Sequence, residues 1–245
     1  MKFAACIVLG CCVAGGGAVA DDAVVSFAKA PAVRKGVAAY PRLVGADPII
    51  ARINAALAKG DGRVRKGAKE CFDDGKGQAD WSRTVDVTMK GPRFVSYVSH
   101  DEYFCGGAYP DVSTMALVYD LSTGIPVDWA KMLPASLAVT AGTSNGADGT
   151  VLGTIASAKL GELYRAAAKA DGGDAECDDV LKETEFHFIL WPDARANGIG
   201  LMQMDLPHVT AACGPALTIP MAKLRELGID AGLLDAIETA HKTAK

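Results

Sequence analysis

The cysteines constrain this chain most. Seven occur in 245 residues, and three of them, Cys6, Cys11 and Cys12, fall in an N-terminal stretch that reads as an export leader. Lys2 supplies its positive start. Phe3 to Val13 is apolar but far too short to span a bilayer, and Ala18-Val19-Ala20 is the small-residue pattern cleaved before Asp21. Residues 1–20 are therefore expected to be a signal peptide. Four cysteines then remain, Cys71, Cys105, Cys177 and Cys213. They are an even set without C-x-x-C spacing, which suggests neither zinc nor thioredoxin-type chemistry. In an oxidising destination they are expected to form two disulfides, for which three connectivities exist. Pairing Cys71 with Cys105 and Cys177 with Cys213 keeps each bridge within one half of the chain. Each bridge then closes a loop of about 35 residues, contributing roughly 3–4 kcal/mol. In an alternative reading, Val8-Leu9-Gly10-Cys11 is a loose lipoprotein box and a lipidated Cys11 anchors the chain.

The leader also changes the charge. Lys2 leaves with it, so 24 basic residues face 29 acidic ones, a formal charge of −5. Binding to nucleic acid needs clustered cations to neutralise phosphates, so no nucleic-acid partner is expected. No later segment has enough uninterrupted apolar residues to span a bilayer, so no transmembrane segment is expected in the mature chain and a periplasmic or secreted location is. Residues 21–245 are long enough for a single extracytoplasmic domain, or for sub-lobes 21–135 and 136–245 around a shared core.

Asp47-Pro48 is a helix start, with Asp as N-cap and Pro at the first helical position. Ile49, Ile50, Ile53, Ala56 and Leu57 follow at helical spacing, and Gly60 is expected to stop this helix. Trp81, Arg83, Val85, Val87 and Met89 alternate with polar residues, the period-two pattern of a half-buried strand. After a Gly91-Pro92 turn, Arg93–Phe104 and Thr114–Leu121 read as further strands, an antiparallel meander. Residues 142–149 read as loop and Thr150–Ala170 as a helix. Strands follow at Glu185–Trp191, Ile199–Leu206 and Leu217–Ile219, and Asp230 opens a last helix ending near His241. This order predicts an α+β fold, an antiparallel meander with helices packed on it.

Two stretches carry a resemblance. The first runs Tyr103-Phe104-Cys105-Gly106-Gly107-Ala108-Tyr109-Pro110 and then Val118-Tyr119-Asp120-Leu121-Ser122-Thr123-Gly124. The second runs from Phe186 to Trp191, through Leu206-Pro207-His208-Val209-Thr210-Ala211-Ala212-Cys213-Gly214, to Ile219-Pro220-Met221-Ala222-Lys223-Leu224. Together, over roughly residues 30–228, the chain resembles the extracytoplasmic domain of RsiV-type lysozyme-sensing anti-sigma factors. A similar domain precedes the catalytic domain of PdaC-type peptidoglycan deacetylases. The sequence departs from that pattern at Tyr109, where His is usual. It carries no sigma-binding segment or deacetylase domain, so neither anti-sigma cleavage nor deacetylation is implied. What the resemblance implies is a domain that meets a cell-wall component or a lysozyme-like protein.

Candidate site residues follow from local chemistry. Gly106 and Gly107 permit positive φ after a strand, and Pro110 stiffens the turn. Tyr109 and Asp111 are then expected to be exposed on a rigid loop and, with the two glycines, to contact a ligand. Gly142-Thr143-Ser144-Asn145-Gly146 matches G-x-S-x-G, which makes Ser144, with His187 or His208 as base, the rival hydrolase reading. The context is poor, because Ala147-Asp148-Gly149 delays the helix that such an elbow needs. Asp174, Glu176, Asp178 and Glu185 echo a calcium loop, but Asp179 stands where the loop needs Gly. His100, Glu102, His187 and His208 are scattered, so no metal is expected. Trp81, Trp129 and Trp191 are expected in the core. No cofactor is implied. The expected function is a non-catalytic envelope binding module, with a hydrolase and a structural envelope protein as alternatives.

Overall fold

A computed structural model of the chain describes residues 24–75, 77–173 and 175–244. The leader, its cleavage signal and Cys11 lie outside the described residues. Two short strands, β1 (Phe27–Ala28) and β2 (Arg42–Leu43), pair antiparallel and lead into helix α1 (Pro48–Asp74). Asp47 caps α1 by accepting a hydrogen bond from the Ile49 N–H. The helix does not stop at Gly60. Its buried stripe continues through Gly60, Asp61, Val64, Ala68 and Cys71. The glycines serve close packing: a Cβ on Gly60 would lie 3.5 Å from the Tyr40 ring, and one on Gly67 would lie 3.3 Å from Trp81. Burial of that stripe outweighs the roughly 1 kcal/mol that a helical Gly costs.

Strands β3 (Asp80–Lys90), β4 (Phe94–Phe104) and β5 (Asp111–Asp120) form the expected antiparallel meander. One face of this sheet is covered along its length and the other only at the Met89–Phe94 end. Val95, Tyr97 and Tyr119 pack with Ile53 and Leu57 of α1. Met89, Phe94 and Val118 turn toward the larger core. A bulge between Val87 and Met89 shifts the register and gives Met89 to that second face.

Helix α2 (Trp129–Met132) and a 3-10 turn at Ala135–Leu137 carry the chain to β6 (Thr140–Asn145) and β7 (Val151–Ala156). Here the structure differs from the sequence expectation twice. Residues 142–145 belong to a strand, and the helix expected from Thr150 begins only at Ala158. The Asn145-Gly146 and Asp148-Gly149 pairs are hairpin signals, and Val151, Thr154 and Ile155 are β-branched residues that favour the pleated surface. Ser157 then caps α3 (Ala158–Ala170) by accepting from the Leu160 N–H.

Helix α4 (Ala175–Glu183) takes up Glu176 and Asp178 of the run that echoes a calcium loop. Strands β8 (Phe188–Asp193) and β9 (Gly198–Gln203) form a hairpin. A 3-10 turn at His208–Cys213 precedes β10 (Leu217–Pro220), α5 (Met221–Glu226) and α6 (Ala231–Thr243). The second sheet has the order β10-β9-β8-β7-β6, with every pair antiparallel. The fold is α+β. The main core joins Met89, Phe94 and Val118 of the first sheet to β8, β9, α3 and α6. The three tryptophans are all buried. Among the described residues no helix is long and apolar enough to cross a membrane. The disulfides join Cys71 to Cys105 and Cys177 to Cys213, the within-half pairs. They fit a protein of an oxidising, extracellular setting.

Candidate functional site

Two irregular segments meet at one end of the sheets. The first, residues 105–110, links β4 to β5. The second is the 3-10 turn at His208–Cys213. A disulfide holds each: Cys105 at the start of the first segment is tied to α1, and Cys213 at the end of the second is tied to α4. Gly106 sits at φ +89, so the turn after β4 does need a glycine there, whereas Gly107 has open space around it. The segments touch through Tyr109 and His208. Their rings stack with centroids 5.4 Å apart and planes 26° apart. His208 Nε2 lies 2.9 Å from the Pro110 carbonyl oxygen, the geometry of an Nε2–H donor. Tyr109 is 70% exposed, and Val209, beside His208, is 89% exposed.

Beside this contact, bordered by the adjoining residues Asp111, Leu206 and Ala211, lies a cleft of about 390 Å³. Tyr103, Asp111 and Thr114 line one side, Asn145 and Gly146 the tip of the β6–β7 hairpin, and Met202, Asp205 and Leu206 the other side. The charged side chains in the lining are Asp111 and Asp205, both acidic. Tyr103 stacks on Trp81 and donates its hydroxyl to Asp111 Oδ2 at 3.2 Å. Burial and the Asp111 carboxylate push the Tyr103 phenol up to about 12, so it remains a donor throughout the neutral range. Val112, which lines the cleft, is also exposed. A larger groove of about 610 Å³ runs along β3 beside α6 and is bordered by none of the sequence candidates.

The structure thus gathers Tyr109, Asp111 and His208 and places Gly106 and Gly107 in the same segment. Ser144 is nearby but differently employed. It is 5% exposed near the end of β6, paired with Leu152, and donates its hydroxyl to Asp205 Oδ1 at 2.7 Å. It occupies no strand-to-helix elbow. His187 lies beside Gly142, where a Cβ would come 3.6 Å from its Nδ1, and its ring faces Glu185 at 3.9 Å. His100 contacts Thr114 at 3.0 Å and Glu102 at 3.5 Å. Asp174 of the calcium-like run lies outside the described residues. Asp178 pairs with Lys182 at 3.1 Å, which holds its carboxyl below the usual range. Among the described residues no three His, Cys, Asp or Glu are grouped to hold a metal ion.

Tyr103 stands in the sequence among the aromatics that flank the Gly106-Gly107 turn, whereas Asp205 belongs to no motif. Asp205 follows the β9 strand at φ +63, a conformation that Asp tolerates better than most residues. An acid at the end of an apolar strand was its one visible signal. A second polar cluster lies behind the cleft. Arg83 and Asp101 are fully buried, with Arg83 Nε 3.7 Å from Asp101 Oδ2 and the guanidinium 4.6 Å from the Tyr40 ring. Trp81 Nε1 donates to Asp101 Oδ1 at 2.8 Å. Asp148, on the hairpin tip, pairs with Arg63 of α1 at 3.8 Å.

No protein-family model matches the chain, and no curated protein does. Among solved structures, the chain is similar to a crystal structure of a DUF3298 family member from Bacteroides fragilis NCTC 9343. Identity is 11%, the match covers 88% of this chain and 96% of the other, and the TM-score is 0.48.

Proposed function

We propose that this chain is an exported, non-catalytic binding module of the cell envelope, whose cleft beside the Tyr109 and His208 segments receives its partner. One observation carries the reading: two disulfide-held segments that expose Tyr109 and Val209 meet beside a cleft lined by Val112 and charged only by Asp111 and Asp205. Rigid aromatic anchors around a concave site are the usual makings of recognition, because little entropy is lost on binding. An acidic lining beside exposed apolar residues suits a basic protein face, and a lysozyme-like protein is the partner we put first. A peptidoglycan fragment is the second reading, favoured by the hydroxyls of Tyr103 and Thr114 and the Asn145 amide along the same cleft.

The hydrolase alternative draws no support from Ser144, whose hydroxyl is spent on Asp205. The test is calorimetric titration of the mature chain with lysozyme and with soluble peptidoglycan fragments. Saturable heat with either supports the reading, and salt should weaken the lysozyme complex because its attraction is between charges. Silence with both removes the specific partners proposed.

A further inference from the structure

Sequence spacing offered His208 as a catalytic base, but its ring is committed to Tyr109 and the Pro110 carbonyl. We propose that His208 is a positioning residue, latching the Tyr109 segment to the 208–213 turn so that the two segments beside the cleft are fixed before a partner arrives. The latch deepens the binding reading above and rests on it for its effect on affinity.

The segment from Gly106 to Pro110 is exposed throughout. Its N-terminal end is secured by the Cys71–Cys105 bridge and its C-terminal end by entry into β5. No backbone hydrogen bond of the segment to another part of the chain is found among the described residues, apart from the Pro110 carbonyl that receives His208 Nε2. The Tyr109 ring is held by the His208 ring alone among described aromatic contacts. His208 itself opens a turn whose far end is secured by the Cys177–Cys213 bridge. Each segment is therefore tied at its base by a disulfide, and one residue, His208, joins the two. Removing that residue detaches the Tyr109 segment, while the 208–213 turn keeps the Thr210 hydrogen bonds to the Pro207 carbonyl and the core is untouched, since His208 and Tyr109 are surface residues.

Fixing a loop in its bound shape strengthens binding by reducing the entropy lost on association. A stack and one hydrogen bond of this kind correspond to about a three- to tenfold effect on affinity. Tyr109→Phe keeps the ring and should keep the latch, whereas His208→Ala and Tyr109→Ala should open it.

The experiment has two arms on the mature disulfide-bonded protein. In the first, without any ligand, nitrogen-15 relaxation reads backbone order at residues 106–109. The latch predicts order parameters near about 0.85 in the native chain and in Tyr109→Phe, falling below about 0.6 in His208→Ala. Order unchanged by His208→Ala overturns the latch whatever the affinities are. In the second arm, lysozyme is titrated: His208→Ala and Tyr109→Ala should each weaken it about three- to tenfold, and together by less than the product of the two. Loss of order in the variant without any lysozyme binding by the native chain supports the latch and counts against the binding reading, so the two fail separately. A variant pair whose effects on affinity multiply fully overturns the latch, because uncoupled residues do not share a contact.

Discussion

At the scale of single residues, Arg83 presents the sharpest electrostatic demand. Its guanidinium is fully buried on the α1-facing side of the meander, with the Asp101 carboxylate 3.7 Å away and the Tyr40 ring 4.6 Å away. Removing one member of a buried pair leaves the other charge uncompensated. Arg83→Met is therefore expected to cost about 3–5 kcal/mol, and Arg83→Met combined with Asp101→Leu to recover most of it, read by urea unfolding. Asp101 also has a pH signature. Burial raises its carboxyl above the ordinary 3.8, against the opposing pull of Arg83 and the Trp81 hydrogen bond; Asp148 raises it further and His100 lowers it. The folded state thus holds the Asp101 proton more tightly than the unfolded state. Its contribution to stability is full below the ordinary value and is lost as pH rises through the raised one. The gap in unfolding free energy between the native chain and Asp101→Asn should therefore widen in favour of the native chain as pH falls from 7 toward 4. A gap that is flat or narrows would show that Asp101 is not raised. Ser144→Ala should cost about 1 kcal/mol by leaving Asp205 without its donor.

At the scale of elements, glycines in helices behave in opposite ways, and their surroundings decide which. Gly62 of α1 is exposed and has no atom within 4 Å of the place a Cβ would take. Gly62→Ala should stabilise by about 0.5–1 kcal/mol through helix propensity. Gly161 of α3 lies against Phe186, into whose ring a Cβ would drive. Gly161→Ala should destabilise by about 1–3 kcal/mol despite the same propensity gain. Thermal unfolding of the two variants separates these signs.

The same contrast explains how much of the fold is legible in the sequence. The alternation at Trp81, Arg83 and Val85 predicts β3 because a half-covered strand imposes period two, and Asp47-Pro48 predicts the start of α1 because capping is local. The end of α1 is hidden, since Gly60 looks like a stop unless the Tyr40 ring packed on it is known. The β6–β7 hairpin is hidden because Ala- and Leu-containing helix periodicity from residue 158 onward masks a preceding strand whose signals are a hairpin turn and three β-branched residues. In the cleft, Tyr109 and Asp111 are visible as exposed residues beside a glycine turn. Asp205 and the partnership of Tyr109 with His208 are not, because 98 residues of sequence separate Pro110 from His208.

At the scale of the molecule, two sheets, α1 and the C-terminal helices share packing, and the disulfides hold the segments that the packing leaves outside. Each bridge spans a long loop, with separations of 34 and 36 residues. Replacing either pair with alanines should lower stability by roughly 3–4 kcal/mol in the chain-entropy model, and the Cys177–Cys213 pair should also loosen the His208 turn. The cleft beside those held segments is proposed to receive a partner. Calorimetric titration of lysozyme and of peptidoglycan fragments into the mature chain, alongside a Tyr109→Ala/Asp111→Asn variant, tests that role most directly. Saturable binding to one of them is expected, weakened at least about tenfold in the variant with its thermal unfolding unchanged. Binding of equal strength in the variant, or none by the native chain to either, would contradict it.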